Sequence, residues 1–313
     1  MSGTRKKFNL HSRGTQHRLF CFILLLPAII LCITFIIIPI IDSVWMSFTD
    51  YKIANLTQGI PGKWNNFANY TRLWDSGKLQ SAAGITIFFV FVTVLLTFIV
   101  SMTLALILNT KIVGARFLRS IMMIPWVSPT VIAGLLWAWI YANPYGLLQY
   151  LVSIFSGGKI TGFGILNNQS TALWGIIIAA LWKQIPLMAL LLLSGMQSIP
   201  DDMLEAAKID GANHFQIFWK ILLPNTKSSM TTLGIYTFIS AWNNLIWMLL
   251  SVRSESKWTV TLGISSICGA SVIKQPTWNL IMGVIVIGMI PVLILFFAYQ
   301  KYFMQSVAAT GIK

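Results

Sequence analysis

Long apolar runs, separated by short polar segments, follow one another along nearly the whole chain. A helix needs roughly 20 apolar residues to cross the hydrocarbon core of a bilayer. The pattern predicts about six transmembrane helices, at residues 19–41, 82–108, 120–141, 171–193, 228–250 and 279–303. The run at 19–41 is longer than the apolar core of a signal peptide, so we expect it to remain as the first span. The fold class that follows is an all-α integral membrane protein.

The composition agrees with this fold class and argues against nucleic-acid binding. Of the 313 residues, 56% are hydrophobic and only 10% are charged, whereas a soluble domain carries about 25% charged residues. The net charge of +14 comes from basic residues scattered over loops and a tail. Such scattering favours contact with anionic lipid headgroups over binding of nucleic acid.

The side chains that usually carry chemistry are not grouped in this sequence. The three cysteines are isolated and the three histidines lie outside the predicted spans, so no metal site is expected. The phosphate-binding pattern GxxxxGK followed by Ser or Thr is also absent from the sequence, so we do not expect this chain to hydrolyse ATP. We therefore predict a non-catalytic membrane protein that binds no cofactor itself.

Lysine and arginine residues indicate the orientation, because cytoplasmic loops of membrane proteins carry an excess of them. The N-terminal tail alone contains Arg5, Lys6, Lys7, Arg13 and Arg18. The bias favours a cytoplasmic N-terminus, and an even number of spans places the C-terminus on the same side. We thus expect a basic cytoplasmic tail at residues 1–18 and a single transmembrane domain at 19–313, with the loop at 194–227 in the cytoplasm.

One part of that loop, residues 198–224, is unusually acidic for this chain. Pro200 suits a helix start, and acidic residues just after it complement the positive end of the helix dipole. Gly211 can leave the helix in a left-handed conformation, and Asn213 with Gln216 has the spacing of a capping box. The segment therefore predicts a helix, a glycine turn and a second helix. It holds four of the eight acidic residues, namely Asp201, Asp202, Glu205 and Asp210.

The spacing within this segment also points to a known family. It fits the pattern EAA-x3-G-x9-I-x-LP at Glu205, Ala206, Ala207, Gly211, Ile221, Leu223 and Pro224. The pattern resembles the cytoplasmic loop of permease subunits in binding-protein-dependent ABC importers. The resemblance covers most of the chain, including Leu26-Pro27-Ala28, Ser47 to Tyr51 and Asn69-Tyr70. These parts are similar to the carbohydrate class of such permeases, the maltose and glycerol-phosphate type.

A pair of surface helices resting on lipid is the alternative for this segment. Phe215, Phe218, Trp219 and Leu222 recur at helical spacing and would supply an apolar face. The lipid alternative does not account for the acidic residues, because anionic headgroups repel carboxylates. We therefore favour docking of a water-soluble partner.

The resemblance implies a fold and a mechanism. The fold is the type I ABC importer permease arrangement, in a bacterial cytoplasmic membrane. The mechanism is alternating access, in which the loop at 198–224 couples the spans to a separate ATPase. The implied coupling residues are Glu205, Ala206, Ala207, Asp210, Gly211, Ile221, Leu223 and Pro224.

The resemblance also implies partners and a substrate class. The partners are a second permease subunit, two ATP-binding subunits that hold ATP and Mg²⁺, an extracytoplasmic solute-binding protein and membrane lipid. The substrates are sugars or oligosaccharides. The stretch Ala241 to Asn244 is similar to the partner permease type, which usually has Trp-Asn-Asp, but Asn244 departs from that pattern. A homodimer and a heterodimer therefore both stay open.

A substrate path is expected where polar and aromatic side chains interrupt the spans. Lys183 lies in mid-span, where a charge costs at least ~2.5–3.5 kcal/mol. One hypothesis is that Lys183 lines the path and favours acidic sugars; the alternative is a contact with backbone carbonyls at the Pro186 kink. Interfacial belts are the alternative for the tryptophans, and hydrogen bonds between helices for the asparagines. The candidate path residues are Trp182, Lys183, Trp242, Asn243, Asn244 and Trp247.

An ion-coupled secondary transporter of small polar solutes is the rival function. Such proteins usually place several ionisable groups within their spans. Lys183 stands nearly alone in the predicted spans, which argues against ion coupling. A membrane enzyme would need a cluster of His, Cys, Asp or Glu at membrane depth, and the sequence shows none there.

Overall fold

The computed structural model describes residues 13–52, 55, 58–110, 113–166, 169–251, 258–271 and 278–311. Most of these residues are helical, and the extended pairing among them is limited to one antiparallel bridge between Thr49 and Trp64. The prediction of an all-α protein is therefore confirmed. Of the predicted basic tail, residues 1–12 lie outside the described residues.

The helices are numbered here in chain order. Two short π-helical turns, Ile33–Ile37 and Phe218–Leu222, join α1 to α2 and α11 to α12. The helices are α1 (Arg13–Cys32), α2 (Ile38–Ser47), α3 (Ala68–Asp75), α4 (Lys78–Asn109), α5 (Ala115–Met122), α6 (Ile124–Val127), α7 (Thr130–Ile140), α8 (Leu147–Phe155), α9 (Gln169–Gln197), α10 (Asp201–Ile209), α11 (His214–Ile217), α12 (Leu223–Asn225), α13 (Lys227–Trp242), α14 (Ile246–Ser251), α15 (Val260–Ser271) and α16 (Trp278–Gly311).

The chain divides into two compact units, and the first comprises Met1–Thr71 with Pro276–Val286. Its continuous helical stretch, Leu19–Ser47, is long and apolar enough to cross a membrane. The loop that follows is fixed by Asn69, which is buried. The Asn69 amide donates to the carbonyls of Ser47 and Thr49, both at 2.8 Å, and its oxygen accepts from the Asn279 amide at 2.8 Å.

The second unit, Arg72–Gln275 with Ile287–Lys313, contains the packed core. Helices α4 and α9 lie against each other along their length. The buried residues of α4 recur every three or four positions, as at Phe89, Thr93 and Thr97. This is the period of a single helix face. The other face of α4 remains exposed, which suits a helix that borders lipid.

Two of the helical stretches in the second unit are broken. The first break lies at Ser128 and Pro129, where the axis bends by 92° between the α5–α6 pair and α7. Proline has no N–H group and disfavours a helical conformation in the residue before it, which accounts for the break. The second break separates α13 from α14 at residues 243–245.

The predicted spans fall on helical stretches, and two of them, 120–141 and 228–250, contain the breaks. Among the described residues, four stretches are long and apolar enough to cross a membrane unbroken: Leu19–Ser47, Lys78–Asn109, Thr171–Gln197 and Trp278–Gln300. The bent pair raises the number to five when it is taken as one span. The remaining predicted span, 228–250, is shared between α13 and α14.

Candidate functional site

The acidic segment forms the predicted helix, glycine turn and second helix. Helix α10 begins after Pro200 and carries Asp201 and Asp202 in its first turn. It ends at Ile209, and Gly211, two residues further on, has a left-handed φ of 79°. The Gly211 N–H donates to the Lys208 carbonyl at 3.1 Å, and the Ala212 N–H donates to the Ala207 carbonyl at 2.9 Å. This pair of hydrogen bonds is the Schellman motif, which satisfies carbonyls at a helix end.

The second helix begins with a complete capping box. The Asn213 side chain accepts from the Gln216 N–H at 2.8 Å, and the Gln216 side chain accepts from the Asn213 N–H at 2.9 Å. Two backbone donors at the start of α11 are thereby satisfied. The caps of both helices use residues within the segment, so its local shape is set by its own sequence.

The predicted coupling residues divide into an exposed set and a packed set. Ala207, Ile221 and Leu223 pack against a buried cluster that includes Met196 and Ile217. In the exposed set, carboxylates and a small side chain lie at the surface of α10 and of the turn that follows it. Its members are Glu205, Ala206, Asp210, Gly211 and Pro224.

Large apolar side chains in the same segment are also exposed. Ile209 is 84% exposed, Phe215 is 70% exposed and Trp219 is 52% exposed. Exposed apolar side chains close to charged ones are typical of a surface that another protein or a membrane covers. We call residues 198–224 the coupling segment below, after the role that the family resemblance implies for them.

A cavity of about 410 Å³ lies between α9, α13 and α14, bordered by both helix breaks. Its wall combines apolar and aromatic side chains with a few polar groups, as is usual for small-molecule sites. The polar residues that line it are Thr130, Lys183, Gln184, Tyr236, Thr237, Ser240, Asn243 and Asn244. Trp126 and Trp247 supply aromatic surface.

Four of the six predicted path residues line this cavity, namely Lys183, Asn243, Asn244 and Trp247. Trp182 is not among the lining residues; its ring lies 5.7 Å from that of Trp137, edge to face. Trp242 is buried and does not line the cavity either.

Trp242 instead connects three helices. Its ring stacks on Phe238 at 5.8 Å, and its Nε1–H donates to the Gly288 carbonyl at 3.0 Å. Its own carbonyl accepts from the Thr261 hydroxyl at 2.7 Å. These contacts join α13 to α15 and α16. Trp242 therefore holds α13, which carries several of the cavity-lining residues, against these two helices.

Lys183 has a specific set of partners. Its Nζ donates to the carbonyl oxygens of Ser128 at 2.5 Å, Trp126 at 3.3 Å and Pro125 at 3.4 Å. The sequence alternative placed carbonyl partners at the Pro186 kink of the same helix. The carbonyls that the structure shows belong to the break between α6 and α7.

Several polar lining residues on α9 and α13 were not predicted from the sequence. On α13, Tyr236 and Ser240 are four positions apart, and the predicted Asn243 follows three positions later as the C-cap of the helix, so all three share one face. That spacing was readable from the sequence. Gln184 had no such signal; its side-chain oxygen is buried and finds no hydrogen-bond partner within the part of the chain that the structure describes.

A comparison with known proteins covers the parts of the chain that contain the cavity and the coupling segment. Residues 99–309 match the family model of the binding-protein-dependent transport system inner membrane component. The matched range includes the coupling segment and every residue that lines the cavity.

Two curated relatives and one solved structure are similar to the chain. The trehalose/maltose transport system permease protein MalF of Thermococcus litoralis is 35% identical over 221 residues, which is 70% of this chain and 72% of the relative. The sulfoquinovosyl glycerol transport system permease protein SmoG of Agrobacterium fabrum is 32% identical over 224 residues, covering 72% of this chain and 71% of the relative.

The solved structure is a chain from a bacterial alginate ABC transporter in complex with an alginate pentasaccharide-bound periplasmic protein. It aligns with a TM-score of 0.75 over 92% of this chain and 94% of its own length, at 17% identity. At this identity the likeness establishes the fold alone. The predicted type I permease arrangement is thereby confirmed.

Proposed function

The chain belongs to the family of binding-protein-dependent transport system inner membrane components, and from this premise we propose that it forms part of the path of an ATP-driven importer for sugars or oligosaccharides. It is a multi-pass membrane protein of the permease type. The observation that carries the proposal is the occurrence, in one compact unit, of an exposed acidic coupling segment and a polar-lined cavity between broken helices.

The coupling segment is proposed to dock on a separate ATPase that holds ATP and Mg²⁺. Glu205 and Asp210 offer carboxylates to a basic partner, and the small Ala206 permits close approach. The chain itself does not hydrolyse ATP in this proposal. The apolar neighbours Ile209 and Phe215 add contact area that is otherwise left in water.

Motion of the docked segment reaches the cavity through the core. Ala207, Ile221 and Leu223 pack against a buried cluster to which Met188 and Leu233 belong. Met188 and Leu233 also line the cavity. Because well-packed side chains transmit displacement, closure of the ATPase is expected to reshape the cavity and so to drive alternating access.

The cavity is proposed to hold the sugar during transport. Sugars are bound by hydrogen bonds together with apolar contact to aromatic rings, and the wall offers both. Gln184, Ser240 and Asn243 supply hydrogen-bonding groups, and Trp126 and Trp247 supply rings. The names of the trehalose/maltose and sulfoquinovosyl glycerol permeases, together with the alginate transporter, support sugars as the substrate class.

The remaining features of the proposal concern assembly and orientation. Both termini and the coupling segment face the cytoplasm, as the charge bias predicts. The working complex contains a second permease subunit, identical or different, two ATPase subunits and an extracytoplasmic solute-binding protein. An ion-coupled transporter is disfavoured because the family is defined by dependence on a binding protein.

Co-purification tests the proposal directly. The chain is isolated with its ATPase, and the isolation is repeated with Glu205→Lys. Charge reversal on the exposed face of α10 is expected to abolish both ATPase association and transport. Asp75→Lys is the matched control, since Asp75 is an exposed acidic residue outside the coupling segment. Full association and transport with Glu205→Lys would refute the docking role.

A further inference from the structure

The ammonium group of Lys183 lies within hydrogen-bond distance of three backbone carbonyls. A lysine ammonium has three N–H donors and no acceptor, and it contacts the three carbonyls of Pro125, Trp126 and Ser128. Building on the transport function proposed above, we propose that Lys183 is a positioning residue. It fixes the break between α6 and α7 and thereby holds one wall of the cavity in place. We call these three hydrogen bonds the Lys183 tie.

The sequence itself creates the need for this tie. In a continuous helix, the Pro125 carbonyl accepts from the N–H of residue 129. That residue is Pro129, which has no N–H. The N–H groups of Val127 and Ser128 donate back to the carbonyls of Met123 and Ile124, so they are not available to the carbonyls at the break.

A cation is the fitting donor at this place. The C-terminal end of a helix carries a partial negative charge, which attracts a positive group. Carbonyl groups without a donor are strongly disfavoured at membrane depth, because no lipid group replaces water there. Lys183, on the neighbouring helix α9, supplies the charge and the N–H donors together.

The Lys183 tie also holds part of the cavity wall in position. Trp126 lies before the break and Thr130 lies after it, and both line the cavity. Fixing the carbonyls of the break therefore fixes two residues of the wall. The side-chain oxygen of Gln184, next to Lys183, is buried and has no hydrogen-bond partner among the described residues.

This role is distinct from recognition of an acidic sugar. An anionic group could gain a hydrogen bond from Lys183 only by displacing a carbonyl from it. The displaced carbonyl would lose its donor at membrane depth. The geometry therefore assigns the charge of Lys183 to the backbone, and it predicts that removal of the charge affects neutral and acidic solutes equally.

Cysteine labelling tests the tie without knowledge of the substrate. The assembled importer is prepared in proteoliposomes with Thr130→Cys, after the native cysteines Cys21, Cys32 and Cys268 have been replaced by serine. A small thiol reagent then reports access to the wall at residue 130. Lys183→Met is expected to raise the labelling rate roughly tenfold or more, because hydrogen bonds to a charged group are lost.

Three variants make the result specific. Lys183→Arg keeps N–H donors and a positive charge, and it is expected to label at the rate of the parent. Lys183→Ala is expected to label fast, and added n-propylammonium is expected to slow it by occupying the vacated place. Lys159→Met is the control for loss of one positive charge at an exposed loop position. Equal labelling rates for the parent and Lys183→Met would overturn the proposal.

Import of two probes separates the tie from anion recognition and from the transport function itself. Trehalose serves as the neutral probe and a glucuronate-containing disaccharide as the acidic probe. The tie predicts that Lys183→Met lowers import of both by the same factor; selective loss of the acidic probe would overturn it. If the parent imports neither sugar, the proposed substrate class is wrong, while the labelling rates still decide the tie.

Discussion

Replacement of Gly211 gives the sharpest test of the coupling segment, because the structure isolates a single cause. Gly211 has a φ of 79°, and a Cβ added there meets no atom within 4 Å. A substitution therefore introduces backbone strain without steric overlap. The left-handed conformation costs an L-residue roughly 1–2 kcal/mol, which changes an equilibrium by a factor of about 5–30.

That strain falls on the turn that orients α10 relative to α11. With Gly211→Val, the ratio of molecules that hold the Schellman turn to molecules that have lost it is expected to drop by a factor of about 5–30. Gly211→Asn is expected to stay near the parent, because asparagine tolerates the left-handed region. The assay is ATPase activity stimulated by the loaded binding protein in proteoliposomes, measured beside sugar import.

Gly114 provides a matched control for this experiment. It has a φ of 81°, again with no atom within 4 Å of an added Cβ, and it lies outside the coupling segment. Gly114→Val therefore introduces similar strain elsewhere. It is expected to leave stimulation of the ATPase intact. Equal losses for Gly114→Val and Gly211→Val, or equal behaviour of Gly211→Val and Gly211→Asn, would refute the reasoning.

Two further predictions follow from single hydrogen-bonding groups. Asn213→Ala removes the capping box and is expected to destabilise the second helix by about 1 kcal/mol, seen as faster hydrogen exchange at residues 214–217. Asn213→Ser keeps a capping oxygen and should exchange like the parent; equal exchange in Asn213→Ala would contradict the cap. Trp242→Phe keeps an aromatic ring on Phe238 but loses the N–H donated to Gly288, at a cost of about 1 kcal/mol. It is expected to lower the thermal unfolding midpoint in detergent, and an unchanged midpoint would show that this bond adds no stability.

The coupling segment could be predicted from the sequence because its determinants are local. The capping box joins Asn213 to Gln216, three positions apart. The glycine turn uses carbonyls of Ala207 and Lys208, a few residues before Gly211. Interactions between near neighbours in the chain leave a readable spacing, so the helix, turn and helix followed from it without knowledge of the tertiary structure.

The roles of the intramembrane tryptophans could not be predicted in the same way. Trp242 and Trp247 lie five positions apart and have the same side chain, yet only Trp247 lines the cavity. What separates them is a partner far along the chain: the Trp242 N–H meets the carbonyl of Gly288, and its backbone oxygen meets Thr261. Such partners depend on which helices pack together, and residue type alone does not encode that.

The two helix breaks show how one physical rule yields both a structural contact and a cavity. Non-helical backbone at membrane depth persists only where protein groups or water satisfy it. At the first break, Pro129 removes a donor and Lys183 supplies replacements to Pro125, Trp126 and Ser128. At the second break, the N–H groups of Asn243 and Asn244 donate to nearby backbone carbonyls, and the Trp242 carbonyl accepts from the Thr261 hydroxyl. Asn243 and Asn244 also line the cavity. Protein groups therefore satisfy the backbone at both breaks, through a cation from a neighbouring helix at the first and through backbone carbonyls and a hydroxyl at the second, and residues of both breaks line the same cavity.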